Sequence, residues 1–197
     1  MLWQMNNERF APYFARSAPW EVLDDLPAIL AEVGRSCGYR QIALQVWAHP
    51  TAQVDATALV RGPCVLDEGA VVKPYAYVRE CVYVGRYAVV GHAVELKNAV
   101  LMAHAQAAHF NYVGDSVLGA YAHLGAGAVL SNLRQDKAYV SVQIEEVRYL
   151  TNRRKMGALV GDSAEVGCNA VLNPGTVLAK GAAVRPSMSV KGYITAK

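Results

Sequence analysis

Between Val82 and Leu130 the sequence reads VYVGRYAVVGHAVELKNAVLMAHAQAAHFNYVGDSVLGAYAHLGAGAVL. Aliphatic residues recur at every sixth position, through Val84, Val90 and Leu96. After a five-residue step they continue through Leu101, Ala107 and Val113, and after a second through Leu118, Leu124 and Leu130. Two positions before most of them stands a small residue, as at Ala88, Ala99, Ala105, Ser116, Ala122 and Ala128. Two inward side chains spaced two apart are the alternation of a strand, and a helix would need a period near 3.6. Glycine often follows the aliphatic residue, as in Val84-Gly85 and Val90-Gly91, where it is expected to turn a corner with positive φ. One hexad cannot bury its inward face alone, so successive coils must stack around a continuous narrow core, which is a parallel β-helix.

The same period extends outward from this stretch. Upstream it runs through Val54, Val60, Leu66, Val72 and Val78; downstream it returns at Val160, Val166, Leu172, Leu178, Val184 and Val190. Residues 133–157, LRQDKAYVSVQIEEVRYLTNRRKMG, break the rule but keep strand-like alternation, so they are expected to leave the coil as an extruded loop or hairpin. The run Arg153-Arg154-Lys155 at its return reads as a solvated surface, with phosphate as its alternative partner. Before the repeat, Trp20, Leu23, Leu26, Leu30 and Val33 fall at helical spacing, with Pro27 at the start and Gly34 as the expected stop. Residues 1–50 are therefore expected to form a short helical cap over the open first coil, and residues 51–197 the β-helix.

With 197 residues and 21.3 kDa, the chain is the size of one ordinary domain. It is 53% hydrophobic and only 18% charged, too apolar to stay disordered. A net charge of +3 suits an anionic small molecule and falls short of the basic footprint of a nucleic-acid binder. No apolar run is long enough for a membrane span, and MLWQMNNERF is not a secretory leader, so a cytoplasmic protein is expected. Cys37, Cys64, Cys81 and Cys168 are scattered without a CxxC pair and read as reduced thiols.

The segment Val94 to Asn132 holds residues that the repeat does not need. The stretches Val94-Glu95-Leu96-Lys97-Asn98, His109-Phe110-Asn111-Tyr112-Val113-Gly114-Asp115 and Gly125-Ala126-Gly127, with Asn132 beyond, resemble the acetyltransferase domain of bifunctional N-acetylglucosamine-1-phosphate uridylyltransferases. The continuation through Asn132-Leu133-Arg134 and Arg153-Arg154-Lys155-Met156-Gly157-Ala158 is also similar to archaeal sugar-phosphate nucleotidylyltransferases that carry an amino-sugar-phosphate acetyltransferase domain. The chain differs from the bacterial pattern at His123 and Leu133.

The resemblance implies a left-handed parallel β-helix of hexapeptide repeats, acetyl-CoA as co-substrate, an amino-sugar phosphate as acceptor, and a homotrimer. It makes His109 the general base, a role suited to a group that changes charge near neutral pH. Glu95 is implied to orient His109, and Asn132 to contact the reacting centre. Arg79 and Lys97 are implied to bind the sugar-phosphate, Tyr112 the amino sugar, and Ala126 and Cys168 to lie near coenzyme A. Aromatic residues expected on the outer faces, Tyr75, Tyr77, Tyr83, Tyr87, Phe110, Tyr112 and Tyr121, fit assembly about a threefold axis.

Two other readings stay open. His104 and His109, five apart, resemble part of the three-histidine zinc site of γ-class carbonic anhydrases, but no third histidine stands some two coils earlier, so no metal is expected. A non-catalytic sugar-nucleotide-binding repeat protein is the other.

Overall fold

Each hexad lays down a short strand, from Gln53–Val54 up to the seven-residue Glu95–Leu101 and Tyr112–Leu118, in the computed structural model, which describes residues 2–4, 9–14 and 18–196. Val71 pairs in parallel with Val89, and Val89 with Gln106, so three hexads close one coil and place each strand beside its counterpart a coil later. About eight such coils stack as a left-handed β-helix. Among the described residues the strands fall into a 14-stranded sheet, a seven-stranded sheet and one separate hairpin. The inward pairs, such as Ala88 with Val90 and Ala122 with Leu124, are fully buried and form one continuous core from Val46 to Val184. The first strand of the stack is Val46–Ala48, and Arg40–Ala43 pairs antiparallel along its open edge. Among the described residues no helix is long and apolar enough to cross a membrane.

The corner glycines act differently from the expectation. Positive φ falls at residues such as Tyr87, Ala93, Tyr121 and Ser163, beyond the glycines of their hexads. Gly85 and Gly91 serve close stacking instead. A Cβ at Gly85 would lie 2.7 Å from the Leu101 carbonyl oxygen, and one at Gly91 would lie 1.7 Å from that of Ala108. The two five-residue steps fall where Asn98 (φ 47°) and Asp115 (φ 46°) turn a corner tightly. Strands there run on through the bend and join two faces of the prism into one sheet.

One outer face is apolar. Trp47, Val65, Tyr83, Val100, Val117, Leu159 and Val177 point away from the coil and are buried beneath a second core. Its cover comes from Trp3, Phe10, Trp20, the helix Leu26–Ser36, and Val140, Val142 and Met156 of the 133–157 segment. Burying each large side chain contributes about 1.5–3 kcal/mol, which is why these segments lie along the side of the prism. The helix thus does not sit over the first coil, as a cap would. Gly34 does not stop it either: the helix continues to Ser36, and a Cβ at Gly34 would lie 2.2 Å from the Trp47 ring. Tyr83, expected on the assembly surface, is fully buried and stacks on Phe10 with ring centroids 4.1 Å apart.

Beneath this cover lies a buried carboxylate. Asp67 accepts from Arg9 Nε at 3.0 Å, from the Tyr83 hydroxyl at 2.6 Å, from the Glu68 amide at 2.7 Å and from the Tyr39 hydroxyl. Burial alone would raise its pKa, but the hydrogen bonds from Tyr39, Tyr83, Glu68 and Arg9 outweigh it and hold the carboxyl below its ordinary value.

The interruption is a hairpin, Ser141–Ile144 with Val147–Leu150, closed at its base by a Leu133–Lys155 bridge. Its basic run is not one patch. Arg153 is largely buried and paired with Asp24, Arg154 lies 5.7 Å over the Tyr139 ring, and Lys155 is exposed.

Candidate active site

Coil stacking converts spacing along the chain into columns. At one corner the amide of Phe110 bonds the His92 carbonyl, Gly127 that of His109, Asn169 that of Ala126, and Ser187 that of Cys168. His92, His109, Ala126 and Cys168 therefore form a single ladder on successive coils, joining three residues that the sequence suggested separately. His109 is exposed, as is Cys168. The His109 amide donates to Asn111 Oδ1 at 3.1 Å, and Asn111 Nδ2 donates to the carbonyls of Gly125 at 2.8 Å and Ala128 at 3.2 Å. Asn111 occupies an inward position where the repeat usually has alanine. Being 3% exposed with its amide satisfied, it ties the His109 corner to the Gly-Ala-Gly corner.

The adjoining face carries the second group. Tyr77, Glu95 and Tyr112 are register neighbours on successive coils, and Lys97 lies beside Gly114. Arg79 follows Tyr77 in the same outward phase, next to Lys97, and lies 5.9 Å over the Tyr77 ring, whose other cation is Arg61 at 5.6 Å. Arg79 Nη1 binds Glu95 Oε1 at 3.0 Å, and this bond raises the arginine pKa. The expected Glu95–His109 hydrogen bond is thus replaced by a Glu95–Arg79 pair. Glu95 stands on the face, where Arg79 takes its carboxylate, and His109 lies beyond the corner at Phe110 and Asn111.

Asn132 is nearly buried and donates from Nδ2 to Asp115 Oδ2 at 2.5 Å. Asn98 Nδ2 donates to Asp115 Oδ1 at 2.9 Å, and the Lys97 ammonium stands 3.9 Å from Oδ2. Tyr112 has its pKa raised by burial first and by the charges of Asp115 and Glu95 second, so its hydroxyl stays protonated. Sequence reading missed Asp115 and Arg153 as parts of this site. Asp115 obeys the turn chemistry of a corner, and Arg153 looked like one member of a surface run.

Other expectations place differently. His104 stacks between Tyr87, at 5.3 Å and 18°, and Tyr121, at 4.5 Å and 7°, at a different corner from His109. Among the described residues no group of three or more His, Cys, Asp or Glu could hold a metal. His123 Nδ1 lies 3.0 Å from Glu165 Oε2 on the outer surface. Beyond Asn132 a groove of about 500 Å³ opens between Leu133, Arg134 and Asp136 on one side and Asn173, Pro174 and Lys191 on the other. The His109 corner itself is open surface in a single chain.

Residues 60–154 match the family described as the GMPPB C-terminal domain. The chain is 28% identical over 163 residues to the bifunctional sugar-1-phosphate nucleotidylyltransferase/acetyltransferase of Sulfurisphaera tokodaii, with 74% of this chain and 41% of that protein covered. With the bifunctional protein GlmU of Methanocaldococcus jannaschii it shares 30% identity over 175 residues, covering 80% of this chain and 40% of that protein. Among solved structures, the acetyltransferase domain of PglB from Neisseria gonorrhoeae aligns over 84% of this chain and 62% of its own, at 18% identity and a TM-score of 0.42. The chain spans about two fifths of the length of these two curated relatives.

Proposed function

Because the chain resembles, over most of its length, bifunctional sugar-1-phosphate enzymes that carry an acetyltransferase, we propose that it is an acetyl-CoA-dependent N-acetyltransferase acting on an amino-sugar phosphate such as glucosamine-1-phosphate. The observation that carries this reading is the meeting of two columns. The ladder His109–Ala126–Cys168 adjoins a face bearing Arg79, Lys97, Tyr112 and Asn132.

In this reading acetyl-CoA lies along the ladder, with Ala126 and Cys168 beside it, and its thioester reaches His109. The acceptor amine attacks the thioester carbonyl, the C–N bond forms as the C–S bond breaks, and His109 takes the amine proton and passes it to the departing sulfur, so that coenzyme A leaves as thiol. No acyl-enzyme is needed. Asn111 holds the base at its corner through the His109 amide. Arg79 and Lys97 supply the positive charge for the sugar-phosphate. At 3.9 Å from Asp115 the Lys97 ammonium is too distant for a direct hydrogen bond, so its donors are available to phosphate oxygens.

Lys97→Ala is expected to raise KM for glucosamine-1-phosphate by about tenfold or more while changing kcat little, because the charge it holds is present in ground and transition states alike. Steady-state thiol release against acceptor concentration measures this, and a fall in kcat with unchanged KM would refute the assignment. If the unaltered protein releases no thiol with any amino-sugar phosphate or nucleotide-linked amino sugar, the non-catalytic reading takes its place.

The active form in this proposal is a homotrimer. Tyr75, Phe110 and Tyr121 are 65%, 60% and 60% exposed, more aromatic surface than a monomer leaves bare, and the open His109 corner needs a neighbour to become concave. Light scattering at micromolar concentration is expected to give three times the chain mass of 21.3 kDa, and a monomer would overturn it.

A further inference from the structure

Asp115 is a carboxylate that the proposed chemistry does not use, yet it is 4% exposed and surrounded by donors. Asn98 Nδ2 and Asn132 Nδ2 donate to its two oxygens at 2.9 and 2.5 Å, and Lys97 Nζ and Arg153 Nη2 stand at 3.9 and 3.8 Å. Arg153 also pairs with Asp24, so this one carboxylate joins the site to the base of the extruded hairpin and to the N-terminal segment. Its backbone carbonyl accepts the Gly157 amide at 2.9 Å, closing the return of the same loop.

The chemical consequence lies in the direction of the hydrogen bonds. An ionised carboxylate only accepts, so it draws the Asn132 NH2 group to itself, and the flipped amide would set two oxygens against each other. Beside this amide stands the Tyr112 hydroxyl. Both atoms converge over Gly114, where a Cβ would lie 2.6 Å from Asn132 Nδ2 and 2.6 Å from Tyr112 Oη. With one amide proton on Asp115, the second can go to the tyrosine oxygen, which would leave Asn132 Oδ1 as an acceptor and the Tyr112 O–H as a donor.

We propose that Asp115 is a positioning residue that fixes the Asn132 amide and, through it, aims the Tyr112 hydroxyl as a donor and the Asn132 carbonyl as an acceptor toward the sugar. The kinetic part rests on the acetyltransferase reading; the direction of the relay does not.

The test uses the full chain with Asp115→Asn, which keeps the shape but adds a donor, and Asp115→Ala. Both are expected to raise KM for glucosamine-1-phosphate about 10- to 100-fold, with KM for acetyl-CoA changed less than about twofold. In a Tyr112→Phe background the added effect of Asp115→Asn is expected to shrink below about twofold, since the hydroxyl it aims is gone. Solvent exchange of the Asn132 side-chain amide protons, assigned by their loss in Asn132→Ala, needs no ligand. It is expected to accelerate more than about tenfold in Asp115→Ala, with Asp115→Asn as the second variant should the alanine protein unfold. Additive effects of the two substitutions, an equal rise in both KM values, or unchanged amide exchange would each overturn the proposal. A chain without thiol release whose Asn132 protons are nevertheless freed by Asp115→Ala keeps the relay and loses the acetyltransferase reading.

Discussion

In His109→Ala, thiol release from acetyl-CoA with glucosamine-1-phosphate is expected to fall about 10²- to 10⁴-fold, with calorimetric binding of coenzyme A nearly unchanged. The fall is expected in kcat because an amine that has added to a thioester carbonyl must shed a proton, and the other imidazole of the ladder lies a coil away. His92, one coil below, is turned to the Pro74 carbonyl at 3.1 Å. Binding is spared because the His109 side chain is exposed, while its backbone is held by Asn111 and by the Gly127 amide, which the substitution leaves in place. Full activity in this variant rejects His109 as the base. Equal loss of coenzyme A binding would instead mean that the ring packs against the nucleotide rather than acting on the amine.

Asp67→Ala is expected to cost about 3–5 kcal/mol of folding stability, because it leaves the fully buried Tyr83 hydroxyl, Tyr39 and Arg9 without their shared acceptor. For a chain of this length that corresponds to a melting point lower by about 10 °C. The same carboxyl gives an acid dependence whose sign follows from its depressed pKa. Its stabilising contribution is complete above the ordinary carboxylate value near 3.8 and is lost as pH falls through the lower folded-state value. Stability of the unaltered chain should therefore decline below about pH 4, and Asp67→Ala should decline less over the same range. Thermal melts across pH 3–7 measure both. An unchanged melting point would mean that the N-terminal segment is not fastened through Asp67.

The inward half of this protein was legible in the sequence. Ala88 with Val90 and Ala122 with Leu124 repeat in a fixed phase because every coil faces the same narrow core, and that demand is met within six residues of chain. The two five-residue steps were also visible, although only the structure shows Asn98 and Asp115 bending continuous strands there. The motif around His109 pointed to a site, and the coil register then placed His109, Ala126 and Cys168 on one ladder.

The outward half depended on tertiary structure. Tyr83 and Tyr77 occupy equivalent positions between the two inward residues of their hexads, yet Tyr83 is fully buried under Phe10 and Tyr77 only partly buried, because segments outside the repeat cover one face and leave the others open. Glu95 was matched to His109 by motif, but Arg79 on the neighbouring strand claims it. Arg153 pairs with Asp24 across 129 positions, and Arg9 with Asp67 across 58. A local period specifies which side chains turn inward. The partner of an outward charge is set by the stacking of coils and by where the non-repeating segments come to rest, and no spacing along the chain encodes either.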